Sequence, residues 1–163
     1  MITYSIIQKS QLEGAKRLDA EYYQPEYLEL DKKIKKFKYK YVKNITDDVI
    51  YGTTPEGGQF TDYGVPFIRS QNFDNLIVDK SEIKFVSDEF NDENKNSQVQ
   101  KEDILFTAVG SIGKIGIVSE DFGIANTNQN IARVRIKDKT VNPYFAIVFF
   151  SSRYGRLQQE RQT

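Results

Sequence analysis

The chemistry open to this chain is bounded first by two residue types it lacks: it contains no histidine and no cysteine. Without histidine it has no member of the commonest class of general base and zinc ligand, and no base for a Ser/His/Asp or Cys/His nucleophile. Without cysteine it forms neither disulfides nor thiolate metal sites. Carboxylates are plentiful, yet Asp47-Asp48 and Asp88-Glu89 have nothing nucleophilic or basic arranged beside them, so surface solvation is their expected role. No Asp-x-Asp-x-Asn-Gly calcium spacing occurs. The glycine cluster GSIGKIG at 110–116 invites a phosphate-cradle reading that its spacing denies. Ala108 stands where a P-loop needs its first Gly, Ile115 follows Lys114 in place of Ser or Thr, and the chain has no Gly-x-Gly. A tight strand-to-strand turn is expected there, its glycines supplying positive φ or close backbone approach. The expectation is therefore a chain without catalytic residues, metal ligands or a cofactor of its own.

What remains is the chemistry of recognition. Base edges in DNA are read by Arg on guanine, Asn or Gln on adenine, and Ser or Thr on either, with Lys or Arg on phosphate. Arg69-Ser70-Gln71-Asn72 is the densest such cluster and holds the one Arg between residues 44 and 120. Thr53, Thr54, Ser111, Lys114, Asn126, Thr127, Asn128 and Gln129 complete the candidate DNA-reading set, and Gln59 and Thr107 are also of suitable type. Each has a plainer alternative: Arg69 paired with Asp62 or Asp74 at a strand end, and Asn or Thr side chains bonded to their own backbone in turns. Lys32, Lys33, Lys35 and Lys36, continued by Lys38, Lys40 and Lys43, are candidates for phosphate contact. The alternative is a solvated helix face, since Glu29 to Lys33 and Asp31 to Lys35 are i,i+4 pairs.

These groups must be positioned by elements the pattern outlines. At 163 residues, 39% hydrophobic, with 11 Phe and 10 Tyr, the chain can enclose a single core. Tyr27, Leu30, Ile34 and Phe37 recur at helical spacing after Pro25, which suits a first helical position. From about residue 45 to 136 the pattern is one of short strands: 49–51, 65–69, 76–78, 83–86, 103–109, 114–118 and 130–136. The acidic, Asn-rich stretch from Ser87 to Asn96 reads as a surface helix or loop. A closing helix is expected from Pro143, with Asn142 as N-cap and Tyr144, Ile147, Val148, Ser151, Tyr154 and Leu157 along one side. Asn142-Pro143-Tyr144-Phe145 lacks the second proline of the Asn-Pro-Pro-Tyr signature of amino-methyltransferases and follows no glycine-rich cofactor loop, so a cap and an N1 proline suffice to explain it. The fold class is α+β, close to α/β: an N-terminal helical segment at 1–41, then a sheet-rich domain at 42–163 with a closing helix.

Net charge is zero, 23 basic against 23 acidic, which by itself offers nothing for nucleic acid. The distribution is uneven, however: residues 1–43 carry +4, 44–120 carry −8 and 121–163 carry +4. The start of the chain has no basic segment leading into a long apolar one, and no apolar run approaches the roughly 20 residues of a membrane span, so a cytoplasmic location is expected.

Taken in order, several stretches resemble the type I restriction-modification DNA specificity domain, the repeated recognition half of a specificity subunit. They are Tyr51-Gly52-Thr53-Thr54-Pro55; Gly64-Val65-Pro66-Phe67-Ile68-Arg69-Ser70 with Asn72; Glu102-Asp103-Ile104-Leu105-Phe106 leading to GSIGKIGIV; and Asn128-Gln129-Asn130-Ile131-Ala132. Pro143-Tyr144-Phe145 through Ser151, Gly155-Arg156 and Gln158 is similar to the helix that closes such domains, and Leu18 to Tyr23 to the run-in of some members. Glu102 departs from the family by standing where a Gly commonly precedes the Asp, and the family's spacer helix is missing from this stretch. The resemblance implies a target-recognition domain whose loops enter the major groove of double-stranded DNA and read half of a split site. The chemistry, in that reading, belongs to a partner: an adenine-N6 methyltransferase, separate or fused, that binds S-adenosylmethionine and flips the base, with an endonuclease and a second recognition domain. A β-rich protein-interaction module without DNA specificity is the first competing reading, and an enzyme using carboxylates on sugar or phosphate is the second.

If Arg69 reads a base, Arg69→Ala should relax discrimination at one base pair by roughly 1–3 kcal/mol in a binding competition across single-base variants of the target. An Arg69→Ala protein with unchanged affinity and unchanged sequence preference would remove Arg69 from the reading set.

Overall fold

A computed structural model of the chain describes residues 4–109 and 113–161. The chain divides into two compact units, one formed by Met1–Lys40 with Phe150–Thr163 and the other by Tyr41–Phe149.

The first unit is helical. It contains α1 (Lys9–Ala15), α2 (Pro25–Ile34) and α6 (Arg153–Glu160). Proline opens α2 as expected, but the helix stops at Ile34, leaving Phe37 outside it and 74% exposed; the buried stripe reduces to Leu30 with Tyr27 and Ile34 half-buried. What closes this unit is arginine on tyrosine. The Tyr22 ring receives the guanidinium groups of Arg161 at 4.1 Å and Arg17 at 5.0 Å. Arg161 also donates to the Tyr22 carbonyl at 3.0 Å and pairs with Asp31 of α2 at 2.8 Å, which ties the end of α6 to both α2 and the run-in.

The second unit carries the sheets. Its strands are β1 (Ile50–Tyr51), β2 (Val65–Ile68), β3 (Phe73–Asp74), β4 (Ile77–Val78), β5 (Lys84–Val86), β6 (Ile104–Thr107), β7 (Ile115–Ile117), β8 (Asn126–Thr127) and β9 (Ile131–Val134). Six form one mixed sheet in the order β1-β9-β6-β7-β4-β3, and three form a second in the order β5-β2-β8. A single helical turn, α3 (Val42–Ile45), leads in, and α4 (Asp88–Glu93) fills the acidic stretch, its N-cap Ser87 accepting from the Phe90 amide at 3.2 Å. Ile68, Leu105, Val99, Val118 and Ile131, each fully buried, belong to one core cluster fed by strands of both sheets.

The expected closing helix is two helices. Asn142 caps α5 (Pro143–Ser151), its Oδ1 accepting from the Tyr144 amide at 2.8 Å. Ser152 then adopts extended backbone (φ −67°, ψ 163°) and recaps α6 through Gly155 N at 3.3 Å. The break corrects the single apolar stripe read from the sequence: within α5 the buried residues are Ala146, Ile147 and Phe150, while Tyr144 and Val148 are exposed.

Two contacts fix the second unit internally. Asp103, fully buried where β6 begins, accepts from Arg135 Nε at 2.6 Å and Nη2 at 2.7 Å and from the Gln100 amide at 2.8 Å. The carboxylate's hydrogen bond raises the Arg135 guanidinium above its ordinary value. At the other end of the sheet, Thr127 belongs to the small sheet, opposite Ile68 of β2, and its carbonyl accepts from Thr53 N at 2.9 Å just beyond β1 of the large sheet. That approach is possible because residue 52 is glycine: a Cβ there would lie 2.1 Å from the Thr127 carbonyl oxygen.

Two substitutions test these contacts by thermal denaturation. Asp103→Ala strands a guanidinium and should cost about 3 kcal/mol, the lower part of the range for broken buried pairs because the Arg135 side chain is 30% exposed. Gly52→Ala has to push two sheets apart and should cost roughly 1–3 kcal/mol; a Gly52→Ala protein as stable as the parent would show that the approach of residue 52 to Thr127 is not a constraint.

Candidate nucleic-acid interface

The register brings the turns of the large sheet to its two ends. Tyr51 lies opposite Ala132, Thr107 opposite Ile131 and Phe106 opposite Ile115. The segment leaving β1, the β6–β7 turn and the segment entering β9 therefore share one end. In the small sheet β2 and β8 run parallel and finish together, Ile68 beside Thr127, so Arg69 and Asn128 leave at the same end of that sheet. The link between the two is the Thr127 carbonyl described above.

The excursion between β8 and β9 is closed at its base and satisfied within. Consecutive amides of Thr53 and Gly52 donate to the carbonyls of Thr127 and Ile131, at 2.9 and 3.2 Å, so that Asn128, Gln129 and Asn130 bulge between them. Asn128 Oδ1 accepts from Asn130 N at 3.1 Å, and the Asn130 carbonyl accepts from Ala108 N at 2.8 Å. With those bonds made, Asn128 and Asn130 are half-buried and Gln129 is exposed. Its Oε1 accepts a hydrogen bond from the Thr54 hydroxyl, across from the β1 loop. Thr53 and Thr54 are exposed, as are Gln59 and Lys114. The Lys114 amide donates to Thr107 Oγ1 at 3.1 Å, and Gly113 before it takes φ +90°, as the turn reading of the glycine cluster requires.

The two ends of the large sheet differ in charge pairing. Lys101, in the turn before β6, meets Glu120, after β7, at 2.8 Å, and that hydrogen bond raises the lysine above its ordinary value. Lys80 similarly meets Asp121 at 2.9 Å. Among the described residues Lys114, at the other end, has no carboxylate within ion-pair distance. One end is thus neutralised internally, and the other presents an unpaired ammonium beside hydroxyls and an amide.

Of the candidates named from sequence, the structure brings Thr53, Thr54, Lys114, Asn128 and Gln129 together. Arg69, half-buried, donates from Nη2 to the Glu82 carbonyl at 2.9 Å, and the Gln71 carboxamide, oxygen toward the guanidinium, accepts from Nη1 at 2.8 Å. Asp62 is not its partner, and the Asp74 side chain lies outside what the structure describes. Ser70 is half-buried and Gln71 exposed in the turn that follows. Asn72, Asn126 and Thr127 are corrections: all three are buried and bonded within the fold. Asn72 accepts from Arg69 N at 3.0 Å and donates to the Ser81 carbonyl at 2.9 Å. Asn126 donates to Asn91 Oδ1 at 2.7 Å and accepts from Ser97 Oγ at 3.1 Å. Thr127 donates to the Asn128 carbonyl at 3.2 Å, and Thr107 is likewise buried. Ser111 lies outside the described residues. On α2 and in the turn that ends it, Lys33 and Lys35 pair with Glu29 at 2.8 Å and Asp31 at 4.0 Å, whereas Lys32 and Lys36 are exposed without an ion-pair partner among the described residues.

The positioning residues that sequence reasoning missed are Gly52, Asn91 and Ser97. Gly52 sat in a motif without a stated role, and Asn91 lies in a stretch whose polarity gives no sign that its amide faces inward. Among the described residues no group of acidic side chains is placed to hold a metal ion, and no helix is long and apolar enough to cross a membrane.

Comparison with known proteins bears on the family and the fold. The EcoBI specificity subunit of a type I restriction enzyme from Escherichia coli is 35% identical over 109 residues, which are 67% of this chain and 23% of that subunit. The crystal structure of the HsdS subunit from Thermoanaerobacter tengcongensis superposes with a TM-score of 0.53 at 13% identity, over 77% of this chain and 31% of that one. A chain from a type I R-M system, solved for its complex assembly and conformational transition, gives 0.51 at 14% identity, over 87% of this chain and 37% of its own. At such identities the structural likeness speaks to the fold, and the chain spans only about a quarter to a third of these relatives. The model of the type I restriction modification DNA specificity domain matches residues 32–163, most of the chain, and the chain belongs to that family.

Proposed function

We propose that this domain reads a short DNA sequence in the major groove, half of a split target, on behalf of a partner adenine-N6 methyltransferase and its endonuclease in the cytoplasm. It contributes recognition and no chemistry; S-adenosylmethionine is held by the partner. The observation that carries this reading is the convergence of the loops after β1, between β6 and β7 and before β9 at one sheet end, where exposed Thr53, Thr54, Gln129 and Lys114 gather. Hydroxyl, amide and ammonium are the groups that read base edges and phosphates, and short loops on a rigid sheet hold them in a fixed register. Arg69, Ser70 and Gln71 flank this set at the end of β2, and Glu56, in the loop after β1, adds an acceptor suited to cytosine N4.

Charge divides the labour. The second unit carries 11 basic and 16 acidic residues, the first 12 basic and 7 acidic. Sequence-independent affinity for phosphate is therefore assigned to the first unit, with Lys32 on α2 and Lys36 just beyond it as cations without a carboxylate partner among the described residues, and Lys33 and Lys35 engaged with carboxylates. A second reading, docking to protein alone, has one observation in its favour: α5 exposes Tyr144, Phe145 and Val148 at 48, 68 and 59%.

A titration of target and unrelated duplexes at several salt concentrations, using the complex with the methyltransferase, separates the two. DNA reading predicts tighter binding to the target and an affinity that falls steeply with salt. Replacing Lys32 and Lys36 by Ala should lower the salt slope by about two without changing sequence preference. Equal binding to both duplexes, indifferent to salt, would favour docking to protein alone.

A further inference from the structure

The Thr54–Gln129 pair allows the reading above, on which this inference rests, to be taken to one base. A glutamine on an open surface samples several rotamers and presents either its oxygen or its nitrogen; discrimination by such a side chain is weak because ordering it costs entropy on binding. Gln129 is not in that condition. Its backbone stands at the tip of a bulge closed by Gly52 and Thr53 and held from beneath by Ala108, and its Oε1 accepts from Thr54 on the neighbouring loop. One lone pair of Oε1 is occupied by the hydroxyl; the other and the two Nε2 hydrogens remain for a ligand.

We propose that Gln129, oriented by Thr54, is a specificity-determining residue that reads a stacked adenine through its major-groove edge. Oε1 accepts from the adenine N6 amine and Nε2 donates to N7, the bidentate pairing that a fixed carboxamide matches. Guanine sets its O6 against Oε1, two acceptors facing each other, and neither pyrimidine offers the N7 acceptor. Thr54 is the positioning residue in this arrangement: its hydroxyl, donating to Oε1, holds the carboxamide beside the loop after β1, where its adjacent acceptor and donor match the N6 amine and N7 of adenine. The fixed loop bases, with backbone groups satisfied by one another, leave Gln129 as the exposed side chain of the bulge.

The test is the methylated motif itself. The reading frame containing this chain is expressed with its methyltransferase in a host lacking other adenine methylation, and N6-methyladenine is mapped across the genome. The parent is expected to modify one split motif with a required adenine in the half-site read by this domain. Gln129→Ala should make that one position degenerate, lowering discrimination by roughly tenfold or more while the other positions hold. Gln129→Glu should move the preference there toward cytosine, whose N4 amine suits a carboxylate. Thr54→Val should relax the same position, and Thr54→Ser, which keeps the hydroxyl, should restore it. Because Gln129 is exposed, the isosteric Glu variant folds as the parent does, which a melting curve verifies. A Gln129→Ala or Gln129→Glu protein that modifies the parental motif unchanged overturns the assignment, as does a uniform loss of methylation by a folded variant without relaxation at one position. A parent that modifies no split motif overturns the proposed function instead, and so the two failures are distinguishable.

Discussion

The constraint on which the second unit depends is the meeting of Gly52 and Thr53 with Thr127. Thr127 ends the parallel pair of the small sheet, and its carbonyl receives the Thr53 amide from the chain leaving the large one. A two-residue strand has little stability of its own, and β8 is held because both its residues are buried and bonded. The same contact determines what the loop beyond it can do. Since Gly52 and Thr53 take the carbonyls on either side of the bulge, residues 128–130 are pinned at both ends, and Gln129 is left facing solvent. Recognition of a base edge demands placement to within a fraction of a bond length, and here the placement is set by backbone hydrogen bonds between sheets.

Beneath this end lies a group of bonded amides, Asn126 buried and Asn91 and Gln98 half-buried, that serves the same purpose. Asn126 is linked to Asn91 and Ser97, Gln98 donates to Asn91 Oδ1 at 2.9 Å, and the Gln98 carbonyl receives Arg133 of β9 at 2.6 Å. The acidic α4 region is thereby attached to β8 and β9 through side chains bonded to one another, although the Nε of Arg133 is buried without a partner. Buried polar groups are stabilising only when partnered, and this network partners its carboxamides almost throughout. The large sheet is fixed at its opposite end by Asp103 and Arg135, so its two ends are specialised: one locked by ion pairs, the other carrying free polar groups.

Much of the fold was legible because strand signals are local. Every β-branched or aromatic run between turn residues became a strand within a residue or two, and Pro25 and Asn142 began helices for the reasons their chemistry gives, while the Ser87 cap decides for a helix in a stretch that read as helix or loop. What sequence could not show was which member of a polar run faces inward. Asn126, Thr127, Asn128 and Gln129 are equivalent as types, and all can reach a base; two are buried, one is bonded to its own turn and one is exposed, because a two-residue strand and a closed bulge alternate them. Arg69 illustrates the same limit, for one of its partners is the Glu82 carbonyl, a group that side-chain identity does not reveal. The helix break at Ser152 was hidden because serine is acceptable both inside a helix and as a cap, and only the cap bond to Gly155 decides between them.

The central claim is that DNA meets the sheet end bearing Thr53, Thr54, Gln129 and Lys114, and not the end sealed by ion pairs. Site-specific photocrosslinking tests this directly, with the crosslinking side chain placed in turn at Thr53 and at Glu120, which is 80% exposed beyond β7. In the methyltransferase complex bound to its target, crosslinks to DNA should form from position 53 and not from position 120. Crosslinks from position 120 alone would contradict the account.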